Sequence, residues 1–374
     1  MSVVAGRPFR VLVAGGGVGA LEGLLALQDL AGERAEIALL TAGRYLTYRA
    51  LSVTEPFAAE PPARYEWAPI AADRGVRLIT DVVTRVHAEE WRVETRDGSD
   101  EPYDALLLAV GARPEPVVPG ALTFAGPRDV LAVGEALRAL AASGPGRKRV
   151  VFVAPSGVGW TLPLYELALL TAHGARETGA ALEVEVVTRE DAPLGVFGGA
   201  ASAEVARRLA DAGVGVRTTT FATEVADGAV WLELEGPLAA DLVIALPRLA
   251  GPRLPGLPAD EDGFVPVDRY GRVRGAERVW AVGDMTTRPL KQGGLAAQQA
   301  DVAAADIAAI AGAAVTPLPY EPRLQGVLLT GGEPLYLERR PTAPPTSTAG
   351  EGFLWWPAHK VAGRRVAPYL ESRG

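Results

Sequence analysis

Gly15-Gly16-Gly17-Val18-Gly19-Ala20 stand between an apolar run, FRVLVA (9–14), and a helix-forming stretch that reaches about Leu30. A second apolar run, AEIALLT (35–41), follows. Strand, glycine turn, helix and strand in that order make a βαβ unit, whose parallel strands require a sheet covered on both faces. Small residues have distinct tasks in that turn. Gly15 permits the tight reversal, Gly17 lets backbone approach a diphosphate, and Val18 and Gly19 open the helix. Ala20 lets helix and strand pack closely, and the helix N-terminus faces the diphosphate charge. A dinucleotide site is the expected use; a glycine turn without a ligand is the plain alternative. One position departs from the pattern. The end of the second strand, where an acid would grip a ribose, holds Thr41, and no carboxylate follows before Glu55. The ribose is therefore held more weakly or by another group.

The unit recurs. RVVFVAPSGVGW (149–160) aligns with RVLVAGGGVGA (10–20) about 140 residues upstream, strand on strand and turn on turn. ADLVIALPRLAGP (240–252) echoes YDALLLAVGARP (103–114) in the same way. Between the copies, short alternating strands are expected at 76–79, 82–87 and 91–96, then a helix over 128–142. A hairpin around Gly331-Gly332 (324–339), a Pro-rich loop (341–350) and an aromatic and basic tail close the chain. The fold class is α/β, with two Rossmann-like three-layer (β/β/α) nucleotide-binding domains and a C-terminal interface segment. The expected division is a first nucleotide-binding part over 1–145, a second nucleotide-binding domain over 146–255, the rest of the first domain over 256–320, and the tail over 321–374.

Composition removes several chemistries. The 374 residues include no cysteine, which excludes disulfides, thiolate metal sites, iron–sulfur clusters and cysteine nucleophiles. Three histidines, His87, His173 and His359, share no metal-ligand spacing, so no metal site is expected. The net charge of −8 argues against a surface built for nucleic acid. The opening MSVVAGRPFR has no signal-type apolar region, and the apolar stretch 295–315 carries Gln298, Gln299, Asp301 and Asp306, which suits a packed helix. A cytoplasmic protein is expected.

The second turn, Pro155-Ser156-Gly157-Val158-Gly159-Trp160, has lost its leading glycine and its small final residue. Proline removes an N–H and an indole fills packing space, so a lost or altered nucleotide site and a working nicotinamide site both stay open. Glu166 and Arg189 could touch such a nucleotide, or be solvated. A third cluster is Val282-Gly283-Asp284, then Lys291-Gln292-Gly293-Gly294, opening a long helix.

With Tyr48-Arg49 and Ala109-Val110-Gly111, this cluster resembles the FAD-containing pyridine-nucleotide–disulfide oxidoreductase superfamily. TYRALSVTEPF (47–57), LPLYELALLTA (162–172), KQGGLAAQQA (291–300) and LLTGGEPLYL (328–337) look most like its sulfide:quinone reductase and type II NADH dehydrogenase branch. The resemblance implies that Asp284 bonds the ribityl or diphosphate part of FAD and that Gly283 allows the approach. Lys291 and the backbone of Gln292 and Gly293 would lie by the pyrimidine end of the ring, Lys291 stabilising the reduced flavin. Val83 would contact the adenine and Gly111 the phosphates by backbone, with Thr41, Arg49 and Ala109 completing the site. The missing cysteines exclude the branch's sulfur chemistry, so the flavin is expected to be the only redox centre unless another protein supplies one.

The expected function is FAD-dependent electron transfer to a quinone or another small-molecule or protein acceptor. An NAD(P)H:acceptor reductase is the near alternative, and a non-catalytic flavin-binding partner protein the distant one. The tail FLWWPAHK (353–360), with Trp355, Trp356, Lys360, Arg364 and Arg365, suits either packing on the FAD domain or peripheral contact with the inner face of a membrane. His359 is expected to be a surface or packing residue.

Overall fold

The computed structural model describes residues 7–58, 64–144, 146–342, 345–355 and 359–373. The chain opens with β1 (Phe9–Ala14), α1 (Val18–Ala31) and β2 (Ala35–Thr41), as the turn pattern requires. Helix α2 (Trp67–Asp73) leads to β3 (Arg77–Thr80). A meander of β4 (Val83–His87), β5 (Arg92–Thr95) and β6 (Asp100–Pro102) precedes β7 (Ala105–Leu108). Then come β8 (Arg113–Glu115), β9 (Leu122–Thr123) and α3 (Val130–Ala141).

The second copy contains β10 (Lys148–Val153), α4 (Leu162–Thr178), β11 (Leu182–Val187), α5 (Gly199–Asp211) and β12 (Val214–Arg217). Its meander is β13 (Ala222–Ala226), β14 (Ala229–Leu232) and β15 (Gly236–Ala239), followed by β16 (Leu242–Ala245) and β17 (Arg248–Ala250). The chain returns to the first unit with β18 (Val279–Ala281) and α6 (Gly293–Ile310). It ends with β19 (Leu324–Leu328), β20 (Leu335–Arg340), β21 (Thr346–Gly350) and α7 (Val366–Glu371).

Two five-stranded sheets result, in the orders β18-β7-β1-β2-β3 and β12-β11-β10-β16-β9, all pairs parallel. Alternation along the central strands makes the layers. Val11 and Val13 of β1 face α1 and α6, while Leu12 and Ala14 face Val83, Val86 and Val93 of the meander. In the second copy Val150 and Phe152 pack with α3, α4 and α5, and Val151 and Val153 pack with Val230, Leu232 and Leu238. Each sheet is thus covered by helices on one face and a three-stranded meander on the other.

Three details depart from expectation. The second sheet recruits Leu122–Thr123, and α3 packs with it, so that layer begins before residue 146. Short hydrophobic segments reveal neither their sheet nor their partner from sequence alone. Within the expected Pro-rich loop, Thr346–Gly350 pairs with β20 as a third antiparallel strand. Finally, α4 starts only at Leu162, leaving residues 155–161 as an irregular connection and not as a turn that opens directly into the helix.

Candidate functional site

In parallel α/β sheets, ligands bind outside the carboxyl ends of the strands. Here those ends in the first sheet open into a cleft of about 1080 Å³. Gly15 sits at its base with φ +149°, and a Cβ there would lie 2.3 Å from the Ala109 carbonyl oxygen, so only glycine fits. Gly17 is the N-cap of α1 and offers no side-chain cap, which leaves the first amides of α1 without intrahelical partners. Gly17, Val18 and Gly19 line the cleft, whereas Ala20 is fully buried in the packing behind it.

The other expected residues gather along the same cleft. Thr41, Arg49, Val83, Ala109, Gly111, Gly283, Asp284, Lys291, Gln292 and Gly293 all line it. Gly283 has φ +74°, and its N–H donates to Gln299 Oε1 at 2.8 Å. Burial pushes the Asp284 carboxyl up, opposed by the charges of Arg49 and Lys291. Burial likewise pulls the Lys291 ammonium down to about 8, opposed by Asp284 and Asp260. That ammonium donates to the Thr286 carbonyl and stands 3.8 Å above the Phe264 ring. Gln292 does more than lend backbone: its Oε1 caps α6 at Leu295 N, and its Nε2 donates to the Gln325 carbonyl.

Thr41 is fully buried, and its hydroxyl has no hydrogen-bond partner among the described residues. A Cβ on Gly16 would lie 2.6 Å from that oxygen and 3.7 Å from the equally unpartnered indole nitrogen of Trp67. A glycine cradle, amides without intrahelical partners and an acid flanked by two cations fit a bound dinucleotide.

The second turn opens into the same cleft through Ser156, Gly157, Val158, Gly159 and Trp160. It is tightly constrained. A Cβ on Gly159 would lie 2.8 Å from the Pro289 carbonyl oxygen, and Trp160 packs on Phe197 with ring centroids 5.8 Å apart. Arg189 donates to Ser156 Oγ at 2.9 Å and covers the Phe221 ring.

Sequence alone failed most at Glu166 and Lys360. Glu166 is not a solvated helix charge: its side chain is 1% exposed and it pairs with Lys360, which is 9% exposed. The Lys360 ammonium also donates to the Val327 carbonyl at 2.5 Å, and Leu329 N–H donates to Glu166 Oε1 at 2.9 Å. Glu166 Oε2 is buried and has no hydrogen-bond partner among the described residues, and both residues line the cleft. Burial raises the Glu166 carboxyl and lowers the Lys360 ammonium, and in each case the charge of the partner opposes the shift. The pair joins positions 194 residues apart, so no local pattern announces it.

The tail is fastened to the first unit. Arg365 and Val366 N–H groups donate to the buried Glu22 carboxylate at 2.8 and 2.7 Å, and the Arg365 side chain bridges Asp29 and Asp301. Val361 lies on Gly293. Trp355 packs edge-on against Tyr336, His359 lies 3.7 Å from Glu371, and Trp356 is outside the described residues. Among the described residues no group of acids and histidines could hold a metal ion, and no helix is long and apolar enough to cross a membrane.

The fold has solved counterparts. A sulfide:quinone oxidoreductase from the hyperthermophilic bacterium Aquifex aeolicus superposes with a TM-score of 0.83 at 19% identity, over 98% of this chain and 95% of that one. NDH2 from Plasmodium falciparum gives 0.69 at 12% identity, over 93% and 92%. A ferredoxin reductase from Rhodopseudomonas palustris gives 0.69 at 20% identity, over 88% and 82%. At the level of sequence, residues 9–305 match the family described as pyridine nucleotide-disulphide oxidoreductase. That match runs from β1 through both glycine turns into α6, and this chain belongs to that family, as an FAD-dependent oxidoreductase.

Proposed function

We propose that the protein holds FAD along the cleft, as its sole redox centre, and passes two electrons to a quinone-class acceptor. The Glu166–Lys360 pair carries this proposal: two buried, ionisable groups in direct contact border the cleft of a chain without cysteine. The sulfide:quinone oxidoreductase among the structural counterparts supports the acceptor class. Bound FAD supplies the two-electron chemistry. Amides at the start of α1 bind the diphosphate, and Asp284, with the Gly283 backbone, holds the ribityl and diphosphate portion. Val83 and Gly111 contribute backbone contacts to adenine and phosphate. Lys291 sets positive charge where two-electron reduction leaves negative charge, beside the Gln292 and Gly293 backbone.

A quinone that takes two electrons also takes two protons. Glu166 can hold one at Oε2 and release it, with Lys360 replacing it from behind. Val361 covers Gly293 at the start of α6, where the helix meets the cleft. A protein in the cytoplasm, touching the inner face of a membrane through its tail, would meet such an acceptor.

The test is stopped-flow reoxidation of the reduced protein. Glu166→Gln should slow reoxidation by a short-chain quinone about a hundredfold. Ferricyanide, which takes electrons without protons, should react at the unmodified rate. Equal loss with both, or with neither, would refute the proton role and the acceptor class that depends on it. A second proposal, an NAD(P)H:acceptor reductase, draws on Ser156, Gly157 and Arg248 lining the same cleft, with Arg189 held on Ser156.

A further inference from the structure

The ribose acid missing at position 41 leaves a chemical gap. A ribose presents a vicinal diol, two O–H donors that a two-oxygen carboxylate accepts well, whereas one threonine hydroxyl cannot accept both with the same charge-assisted strength. The Thr41 hydroxyl is moreover packed against Gly16.

The adjacent strand supplies an acid. β2 and β3 run parallel with Thr41 paired to Thr80, so Asp81 emerges one residue beyond that level, one strand spacing of about 4.8 Å to the side. Asp81 lines the cleft together with Thr41, Ala42, Gly43 and Val83. Its carboxylate is already oriented: Oδ1 accepts from Val82 N–H at 2.7 Å and Oδ2 from Asp97 N–H at 3.1 Å. Each oxygen keeps a second lone pair for a ligand. The other acids lining the cleft are Glu166, Asp260, Asp262 and Asp284, none of them on β2 or β3 or the loops that leave them. Arg44, in the loop after β2, is paired with Glu66 at 2.9 Å, which engages that nearby acid elsewhere.

We infer that Asp81 is the carboxylate that holds the adenosine ribose of FAD, taking over from the neighbouring strand the task that position 41 has given up. This rests on FAD occupying the cleft and not on the identity of the acceptor. It follows that FAD in this protein is gripped at its ribose from β3, with β2 contributing only packing.

Release of FAD from the diluted holoprotein, followed by flavin fluorescence, tests the inference with no acceptor present. Asp81→Asn keeps the turn to Val82 but replaces one acceptor oxygen by a donor. It should release FAD roughly ten- to a hundredfold faster than the unmodified protein. Thr41→Glu in the Asp81→Asn background should recover much of that loss, because the carboxylate returns on the usual strand. A merely structural Asp81 would show no such recovery. Independently of any variant, an FAD analogue lacking the ribose 2′-hydroxyl should displace bound FAD from the unmodified protein less well than FAD itself. Unchanged release from Asp81→Asn, no recovery by Thr41→Glu, or equal displacement by the analogue would each overturn the assignment. An unmodified protein that carries no FAD would instead refute the proposed function, and a failure of quinone reoxidation would leave this measurement unaffected.

Discussion

Partial burial, the Thr286 carbonyl and the Phe264 ring surround the ammonium of Lys291, and burial draws its pKa down to about 8. Below that pH it is charged before and after flavin reduction. Above it, the oxidised protein holds a neutral lysine, and negative charge arriving on the ring draws the proton back. Reduction should then take up one further proton above about pH 8, and the midpoint should fall by about 30 mV more per pH unit for this two-electron couple. Lys291→Met should remove that break and lower the midpoint at pH 7 by some tens of millivolts, FAD remaining bound. Spectroscopic titration against dyes of known potential measures both. An unbroken slope in the unmodified protein and an unchanged midpoint in the variant would put Lys291 away from the ring. At this scale, short glycine-rich segments single out Lys291 and Asp284 in the sequence, and both line the cleft. The sequence was uninformative for Asp81 and for Glu166 with Lys360, whose neighbours come from other strands and from the far end of the chain.

The two βαβ elements have diverged in ways that packing explains. In the first, α1 begins at Val18, directly after the turn, with its leading amides toward the cleft. In the second, Pro155 lacks an N–H, Gly159 is pressed on the Pro289 carbonyl, Trp160 is committed to Phe197, and α4 begins only at Leu162. Few amides remain for a diphosphate. NADH and NADPH are therefore expected to reduce the flavin slowly or not at all, and Pro155→Gly with Trp160→Gly to raise the affinity. The indole is only partly buried, so the cavity it leaves should cost less than the ~3–5 kcal/mol of a fully buried ring. Anaerobic stopped-flow decides this. Rapid, saturable bleaching by micromolar NADH or NADPH would show an open second site and favour the NAD(P)H reductase. Proline and tryptophan were visible as departures in the sequence. The delayed helix start and the role of Pro289 were not, because they arise where the two units meet.

For the whole molecule, the absence of cysteine and the lack of a histidine among the cleft residues imply that FAD is bound noncovalently. Acid precipitation should leave FAD in the supernatant; flavin retained in the pellet, or FMN in its place, would contradict the assignment. The alternation of β1 and β10, the glycine turns and the repeat about 140 residues apart determined two parallel sheets covered on both faces, since strands apolar on both sides cannot face water. Likewise, composition alone excluded thiol chemistry. Tertiary structure decided what these local rules cannot reach: that Leu122–Thr123 joins the second sheet, and that β3 sets an acid beside Thr41. It also decided that the tail brings Lys360 onto Glu166 and Arg365 onto Glu22. Periodicity and turn chemistry act over a few neighbouring residues. Burial of a charge depends on whichever distant segment arrives to pair with it, and only the closed fold determines that.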